Sequence, residues 1–396
     1  MNSHSPGAKS NPAKFDVAIV GGGITGLSTA MHLSQSGTDN IIIFDEIDKS
    51  ATKDSPGFLS GSLLDNITRI SVGYGLSFAG DLLHYLARSY RYIDGFLKTV
   101  PVDFSYGERF RLIFSQQEQT EAILAVKELK KVGFYSELLY PKDQGFPGAL
   151  LGEKVVGIQN EGKLGGWVDV DALLSALEKT VVCSRKNNRI VELVDTGNGI
   201  QCVCEDGSSI LAEMVCVTGW KGIINLIPFM KNVMIPYSDQ WEEFSYKGDM
   251  KCLEHILFTG GHGYEWGGIP TPGRLVWGGG RFLRNLAGIG EKNSKVDPRV
   301  SSYLAKSAGE IFKGISSLKP SFRRGMTGCR PCDEIPVIGP MFGNERILVA
   351  SGYMGTGLAL GFMAGKSLSD LIMHGICDDL PELLCPKRFR SMNIQA

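Results

Sequence analysis

The chain has 396 residues, of which 43% are hydrophobic and 21% are charged. This composition is typical of a globular protein, and the length allows two domains. The 41 basic residues balance the 42 acidic ones, and a net charge of -1 excludes the broad basic field that attracts nucleic acids or anionic membranes. No apolar run approaches the roughly 18 residues needed to span a bilayer, so we expect no transmembrane segment.

The cysteines and histidines show no pattern that indicates a metal or a disulfide framework. Nine cysteines are scattered along the chain, and the six histidines have no ligand or triad spacing. We therefore expect no metal site and a reduced, cytoplasmic location. Residues 1–14 are polar and contain no apolar signal core, so they are predicted to form a disordered lead-in.

The most informative segment is the apolar run at residues 15–20 with the sequence GGGITG that follows it at residues 21–26. A strand, a G-x-G-x-x-G turn and a helix in this order bind the pyrophosphate of a dinucleotide. Gly21 permits the tight turn, Gly23 leaves room for the phosphates, and Gly26 lets the helix pack on the strand. A second apolar run ends at Asp45, which is placed to hydrogen-bond the adenosine ribose.

The remaining elements follow from periodicity and turn residues. Residues 51–65, rich in Ser, Gly and Asp, are predicted to form a loop near the ligand. Asp169 or Asp171 is the predicted N-cap of a helix. A second glycine turn at residues 352–357 precedes a helix. Helices are predicted over 82–97, 116–132, 303–312 and 358–373, and strands over 110–114, 189–194, 199–205, 214–217 and 346–350.

Five motifs occur in an order that points to one family. They are GGGITG at 21–26, WVD at 167–169, VTGW at 217–220, GCRPCDEIPVIGP at 328–340 and SGYMGTG at 351–357. With them, the chain resembles the FAD-dependent D-amino acid oxidase superfamily over residues 15–375. NITRI at 66–70, followed by GYG at 73–75, resembles the branch that contains glycine oxidase, sarcosine oxidase and N-methyltryptophan oxidase.

The resemblance implies a two-domain α/β (α+β) fold, with a Rossmann-like FAD-binding domain and a substrate domain built on a mixed, mainly antiparallel sheet. The FAD-binding domain is predicted at 15–80, 150–224 and 326–377, the substrate domain at 81–149 and 225–325, and a C-terminal tail at 378–396.

The resemblance also implies where FAD binds. Its diphosphate is expected at residues 21–26, its ribose at Asp45, and its isoalloxazine between the Arg69 loop and the turn at 355–358. The N-terminus of the helix after that turn would stabilise negative charge on the reduced ring. The expected FAD contacts are Gly21, Gly23, Ile24, Thr25, Gly26, Asp45, Glu46, Ser60, Arg69, Ile70, Ile190, Thr218, Gly219, Trp220, Arg330, Met354, Gly355, Thr356, Gly357 and Leu358.

The implied activity is oxidation of the C–N bond of a small amine or amino acid, by hydride transfer to flavin N5. Arg330, Arg69 and Trp266 are the candidate catalytic residues. A guanidinium offers two parallel donors to a substrate carboxylate, so Arg330 is a candidate clamp. Two alternatives stay open: Arg330 pairs with Asp333 or a backbone carbonyl to brace its loop, and Trp266 is a plain core aromatic.

Three positions depart from the sarcosine oxidase pattern. Val276 stands where that branch has a lysine that promotes reaction with oxygen, and Val72 and Ala359 stand where it has substrate-carboxylate ligands. These departures leave other functions open: a dehydrogenase with a non-oxygen acceptor, a maturation enzyme that oxidises a side chain of a partner protein, or a flavin- or NAD-binding module without turnover. Cys329 and Cys332 are interpreted as buried thiols, a redox pair or a covalent flavin attachment point.

Overall fold

The computed structural model describes residues 12–46, 50–313, 315 and 319–391. Most of the predicted lead-in at residues 1–14 lies outside the described residues. The prediction of disorder is wrong for Ala13 and Lys14, which open the first strand and pair in parallel with Ile210 and Leu211. The neighbouring strand extends past the apolar run and satisfies their backbone groups.

Strands and helices alternate along much of the chain, with the following bounds. The strands are β1 (Ala13–Val20), β2 (Ile41–Asp45), β3 (Phe58–Ser60), β4 (Phe104–Gly107), β5 (Arg109–Ile113), β6 (Glu137–Leu139), β7 (Gly157–Asn160), β8 (Gly165–Val168), β9 (Ser184–Asn187), β10 (Ile190–Asp195), β11 (Ile200–Cys204), β12 (Ser209–Val217), β13 (Met234–Ser245), β14 (Leu257–Gly260), β15 (Glu265–Thr271), β16 (Arg274–Gly279), β17 (Pro320–Pro331), β18 (Val337–Met341) and β19 (Asn344–Ser351). The helices are α1 (Ile24–Gln35), α2 (Ile67–Tyr74), α3 (Leu76–Leu97), α4 (Gln116–Lys131), α5 (Val170–Thr180), α6 (Trp220–Leu226), α7 (Met230–Val233), α8 (Pro298–Ile311) and α9 (Gly357–His374).

The first sheet has the strand order β10-β11-β12-β1-β2-β9, with β19 beside β12 and β18 beside β19. Its centre is parallel, because β1 pairs in parallel with both β12 and β2. Helices α1, α5 and α9 contribute to the core on one face, and α6 and α7 to the core on the other. This covering on both faces explains why the central strands are continuous apolar runs.

Helices α1 and α9 pack closely because glycines face the contact. A Cβ at Gly365 would lie 2.5 Å from Ser28 Cβ, and one at Gly361 would lie 2.8 Å from Thr25 Oγ1. The helix that follows the first glycine turn therefore lies directly against the helix that follows the second one.

The second sheet has the order β17-β13-β16-β15-β14-β5-β7-β6. Its pairs are antiparallel apart from β14 with β5. Helix α8 packs on it through Val300, Leu304 and Ile311. A small third sheet, β3-β8-β4, accompanies the two large ones. The predicted fold class, a two-domain α/β protein with a mixed, mainly antiparallel second sheet, is confirmed.

Four element predictions need correction. The strand predicted at 214–217 is β12, which begins at Ser209. Helix α3 begins at Leu76, six residues before the predicted start at residue 82. Helix α8 begins at Pro298 instead of residue 303, because Asp297 caps it by accepting a hydrogen bond from the Arg299 N–H. The predicted loop at 51–65 contains β3, which forms because it pairs with β8.

The predicted domain boundaries stay a prediction. Three segments pack with a part of the fold other than the one to which they were assigned. Strand β7 lies in the second sheet, and α3 shares a core with α1 and α9. Within the predicted tail at 378–396, Phe389 is fully buried and Arg388 pairs with Asp333.

Candidate active site

A cavity of about 870 Å³ opens between the first glycine turn, the loop at 50–58, the start of α2 and the second sheet. Binding sites for small molecules and cofactors occupy about 300–1,000 Å³. The cavity is therefore large enough for a sizeable ligand. Both glycine turns contribute to its wall.

The first turn has the geometry that its glycines predict. Gly21 has a φ of +113° and donates its N–H to Phe44 O at 2.8 Å. A Cβ at Gly26 would lie 1.9 Å from the oxygen of Gly21, and a Cβ at Gly22 would lie 2.3 Å from Asp45 Oδ2. The turn therefore excludes side chains at these positions and lies directly against the Asp45 carboxylate.

The N-terminus of α1 faces the loop at 50–58. The Ile24 N–H donates to Thr52 Oγ1 at 3.2 Å, and a Cβ at Gly23 would lie 3.0 Å from the same hydroxyl. Thr52 was not among the predicted site residues, although the loop that contains it was predicted to contact ligand. A helix N-terminus beside a hydroxyl-bearing loop is suited to a phosphate.

The second glycine turn lies in the same cavity and is joined to the first. Tyr353 Oη lies 2.9 Å from Thr25 Oγ1, within hydrogen-bond distance. Met354 and Gly355 adopt left-handed backbone angles, with φ of +48° and +86°. A Cβ at Gly355 would lie 2.0 Å from Leu64 Cδ1, so only glycine fits against that side chain.

A buried cluster of charges holds the loop that contains Leu64. Glu161 pairs with Arg109 and with Arg111, the latter at 3.0 Å. The two arginines donate to the carbonyls of residues 63–65. Burial raises the pKa of Glu161, but the two arginines outweigh it and hold that pKa below its ordinary value. The cluster therefore positions part of the cavity wall.

Most of the predicted FAD contacts lie in the wall of this cavity. They are Gly21, Gly23, Ile24, Thr25, Gly26, Asp45, Arg69, Ile70, Thr218, Gly219, Trp220, Arg330, Met354, Gly355, Gly357 and Leu358.

Four predicted contacts do not line the cavity. Ser60 donates to the Ser62 carbonyl within the small third sheet, and Thr356 donates back to the Tyr353 carbonyl at 2.7 Å. Ile190 packs in the core with Cys204 opposite it on β11. Glu46 follows Asp45 beyond the wall. Ser60, Thr356 and Ile190 therefore serve local structure, and Glu46 lies one residue beyond the cavity wall. Only the folded structure separates such residues from those that line the cavity.

Arg330 and Arg69 meet at one carboxylate. Arg330 Nη1 donates to Glu334 Oε1 at 2.8 Å, and Arg69 pairs with the other oxygen of Glu334 and with Asp65 at 2.9 Å. Of the two partners considered for a bracing Arg330, Asp333 or a backbone carbonyl, Asp333 is not the one, because the ion pair of Arg330 is with Glu334. Arg388 holds Asp333 instead, at 2.6 Å. Glu334 was missed, and its φ of +61° is a strained backbone geometry of the kind found at functional sites.

Trp266 lies in the cavity wall and is only 4% exposed. Its indole N–H points to Asp239 Oδ2 at 3.4 Å. Glycines on the neighbouring strands make room for the aromatic rings: a Cβ at Gly278 would lie 2.5 Å from the Trp266 ring, and one at Gly328 would lie 2.8 Å from the Tyr237 ring. The three glycines at 278–280 lie against the Trp266 ring, the Tyr264 backbone and the Tyr303 ring, and they do not line the cavity.

Tyr237, Asp239 and Arg281 also line the cavity, and the sequence analysis missed all three. Tyr237 and Asp239 are two residues apart on β13, so their side chains lie on the same face of the sheet. Burial raises the pKa of Asp239, and burial raises the pKa of Tyr237 to about 12. No clear signal in the sequence marks these residues, because the segment of Tyr237 and Asp239 lacks a regular alternation of apolar and polar residues and Arg281 lies in a short 3-10 turn after β16.

The two cysteines of the CRPC segment differ in environment. Cys329 lines the cavity and is buried, whereas Cys332 is exposed. Burial raises the pKa of Cys329 to about 12, which keeps this thiol protonated and unreactive. Across the described ranges, no group of three or more His, Cys, Asp and Glu side chains could hold a metal ion. None of the described helices is both long and apolar enough to cross a membrane.

The model of the FAD dependent oxidoreductase family matches residues 16–371. The chain belongs to this family, which confirms the resemblance to the D-amino acid oxidase superfamily. It is therefore an FAD-dependent enzyme. No curated protein sequence matches the chain.

Solved structures share the fold at low sequence identity. L-proline dehydrogenase from P. horikoshii is 15% identical, with a TM-score of 0.79 and coverage of 97% of this chain and 100% of that one. Glycine oxidase from Geobacillus kaustophilus is 15% identical, with a TM-score of 0.78 and coverage of 95% and 99%. Iminodiacetate oxidase from a Chelativorans species is 18% identical, with a TM-score of 0.72 and coverage of 93% and 98%. At such identities the similarity establishes the fold alone.

The residues present fit FAD. The glycines of the first turn and the N-terminus of α1 are suited to bind a pyrophosphate, and the Asp45 carboxylate beside Gly22 is suited to accept hydrogen bonds from a ribose. The second helix N-terminus, after Gly355, lies in the same cavity and matches the electron-rich side of a flavin.

Proposed function

We propose that this protein oxidises the C–N bond of an amine or amino acid. The observation that carries the proposal is that one cavity joins the FAD-binding turn at residues 21–26 to a wall of Tyr237, Asp239 and Trp266. FAD, held by the turns at residues 21–26 and 352–357, would supply the acceptor for a hydride from the carbon next to the substrate nitrogen, and the imine formed from the substrate would hydrolyse.

The protein's contribution is to orient the substrate and to exclude water. Trp266 and Asp239 are less than a tenth exposed, so they form a dry, rigid wall. Arg69 and Arg330 bring positive charge to the wall, and Glu334 holds both guanidinium groups in place. Fixed donors of this kind hold a substrate in a reactive orientation without reorganisation during the reaction.

Anaerobic reduction of the purified flavoprotein tests the proposal. A panel of primary, secondary and N-methyl amines and of amino acids is mixed with the protein, and bleaching of the flavin absorbance is recorded. We expect at least one member to reduce the flavin, while its matched 2-hydroxy acid does not. A protein that holds no FAD after reconstitution, or whose flavin no member reduces, contradicts the proposal.

A second candidate function, a dehydrogenase with a non-oxygen acceptor, is favoured by one position. Val276, which takes the place of the oxygen-promoting lysine of the sarcosine oxidase branch, is fully buried in an apolar cluster with Trp266 and Trp167. We expect turnover with a soluble redox dye under nitrogen to exceed turnover in air without the dye. Equal rates in the two assays would favour an oxidase instead.

A further inference from the structure

One face of the second sheet continues beyond the cavity wall. Strands β13 and β17 are antiparallel, and the residue pairs on this face are Tyr237 with Gly328, Asp239 with Met326, and Trp241 with Arg324. Side chains two residues apart on a strand lie on the same face of the sheet. The first two pairs line the cavity, whereas Trp241 and Arg324 do not. The third pair therefore lies on the cavity-facing side of the sheet, directly beside the wall.

Trp241 and Arg324 hold the backbone of the loop at 50–58. The Trp241 indole N–H donates to the carbonyl oxygen of Asp54 at 2.8 Å, and Arg324 Nη1 donates to the carbonyl oxygen of Lys53 at 2.6 Å. Arg324 Nε also lies 3.8 Å from Asp54 Oδ1, within ion-pair distance. Two neighbouring side chains of the sheet thus bind two successive carbonyls of the loop. The guanidinium bond is the stronger of the two, because its donor is charged.

Packing keeps both donors in place. The Trp241 ring centroid lies 5.2 Å from that of Phe322, and the Arg324 guanidinium carbon lies 5.7 Å from the same Phe322 ring. Trp241 is only 5% exposed. A buried donor that loses its partner is costly, so these contacts favour a single position of the loop.

The same loop reaches the turn expected at the FAD pyrophosphate. Thr52 lies two residues before Asp54, and its Oγ1 accepts from the Ile24 N–H at the N-terminus of α1. The Asp54 N–H donates to the Ser50 carbonyl at 3.2 Å, and the Ser55 N–H donates to the Thr52 carbonyl at 3.1 Å, so the segment is a hydrogen-bonded turn. A continuous series of contacts therefore runs from the second sheet, through this turn, to the start of α1.

We propose that Trp241 and Arg324 are positioning residues for FAD: they hold Thr52 at the N-terminus of α1 and so stabilise the bound cofactor from outside the cavity. A loop that is already in place costs less free energy to order when a ligand binds. Loss of either donor leaves a looser loop beside the pyrophosphate turn, and FAD then dissociates faster. This inference goes beyond the proposed function, because it concerns the cofactor and does not depend on the substrate.

Release of FAD from the loaded, full-length protein tests the proposal. The holoprotein is diluted, and the rise in free-flavin fluorescence gives the rate of release. We expect Arg324→Met to release FAD roughly 10-fold faster than wild type, and Arg324→Lys to recover part of the difference. Trp241→Phe removes the indole N–H but keeps an aromatic ring against Phe322, and it should release FAD roughly 3- to 10-fold faster.

Two variants of the same sheet are the matched controls. Arg323→Met removes the neighbouring arginine of β17, which pairs with Glu242 at 3.6 Å. Trp277→Phe removes a buried indole N–H of β16 that has no hydrogen-bond partner among the described residues. Neither side chain binds the loop at 50–58, so both variants should release FAD at the wild-type rate.

Cleavage after Lys53 by a lysine-specific protease separates positioning of the loop from general stability. We expect the Arg324→Met apoprotein to be cut at Lys53 faster than the Arg323→Met apoprotein, while the two unfold at similar urea concentrations. The inference is overturned if Arg324→Met and Trp241→Phe release FAD at the rates of their controls, or if they release it faster with no increase in cleavage at Lys53. Because no substrate is added, neither outcome bears on the proposed oxidation of an amine or amino acid.

Discussion

Tyr353 and Thr25, which are 328 positions apart in the chain, share a hydrogen bond of 2.9 Å between their hydroxyl groups. Each residue belongs to one of the two glycine turns of the cavity. The bond therefore sets the distance between the turn expected at the FAD pyrophosphate and the turn expected at the flavin.

Removing this bond tests its role. Tyr353→Phe loses one partly buried hydrogen bond, which we expect to cost about 1 kcal/mol of unfolding free energy and to weaken FAD binding severalfold. Tyr85→Phe is the matched control, because the Tyr85 hydroxyl makes a 2.9 Å bond to Ser367 in the same core and does not line the cavity. Urea denaturation and FAD titration of the apoprotein measure both quantities. An equal loss of FAD affinity in the two variants would mean that the Tyr353 bond serves stability alone.

Gly26→Ala is expected to abolish tight FAD binding. The added Cβ would lie 1.9 Å from the oxygen of Gly21, so the turn must open and the α1 N-terminus must move. Gly95→Ala is the control, since this position in α3 has no heavy atom within 4 Å of the new Cβ. Alanine there should stabilise the helix by up to about 1 kcal/mol. The ratio of flavin to protein absorbance after purification is the measurement, and near-stoichiometric flavin in Gly26→Ala would contradict the expectation.

Asp239→Asn should stabilise the protein at neutral pH. Burial raises the pKa of Asp239 above its ordinary 3.8, so the folded state holds the proton more tightly and ionisation destabilises it. The gain in stability is complete above the raised pKa and disappears as the pH falls below 3.8.

The same substitution at the exposed Asp206 should change stability in the opposite direction. Hydrogen bonds from Ser208 lower the pKa of Asp206 to about 2, so Asp206→Asn should lose stability at neutral pH, and this difference should vanish as the pH falls toward 2. Denaturation midpoints between pH 2 and pH 8 distinguish the two variants. Equal stability of Asp239→Asn and wild type at pH 7 would show that the Asp239 carboxylate is satisfied within the protein.

Glu161→Gln should be strongly destabilising. It leaves the buried Arg109 and Arg111 without their counter-ion, a change that costs about 3–5 kcal/mol. Glu178→Gln breaks an exposed pair with Arg185 and should cost less than about 1 kcal/mol. Because the pKa of Glu161 is lowered, the ionised carboxylate stabilises the folded state above pH 4.5, and this stabilisation is lost as the pH falls. The free energy of unfolding of Glu161→Gln should therefore depend less on pH in the acid range than that of wild type. A loss in Glu161→Gln no larger than in Glu178→Gln would show that the cluster does not hold the loop.

Local features of the fold were predictable wherever the determining residues are adjacent in sequence. The helix at residues 116–132 and the strands at 189–194 and 199–205 are confirmed, and of the two candidate N-caps the structure has Asp169. The start of α8 was missed although its Asp297 and Pro298 signal was present. Strand β3 could not be predicted, because the loop around it has no periodic pattern and its strand partner, β8, comes about a hundred residues later.

The turn expected at the FAD pyrophosphate was predictable from local sequence, because residues 15–26 contain the strand, the glycines and the start of the helix that together make a phosphate site. The pairing of charges in the cavity was not predictable in this way, because it depends on how distant segments pack. Asp333 pairs with Arg388, and Glu334 pairs with both Arg330 and Arg69. Arg281 lies over the ring of Tyr237. The physical reason is that an ion pair depends on distance and burial across packed elements, and spacing along the chain encodes neither.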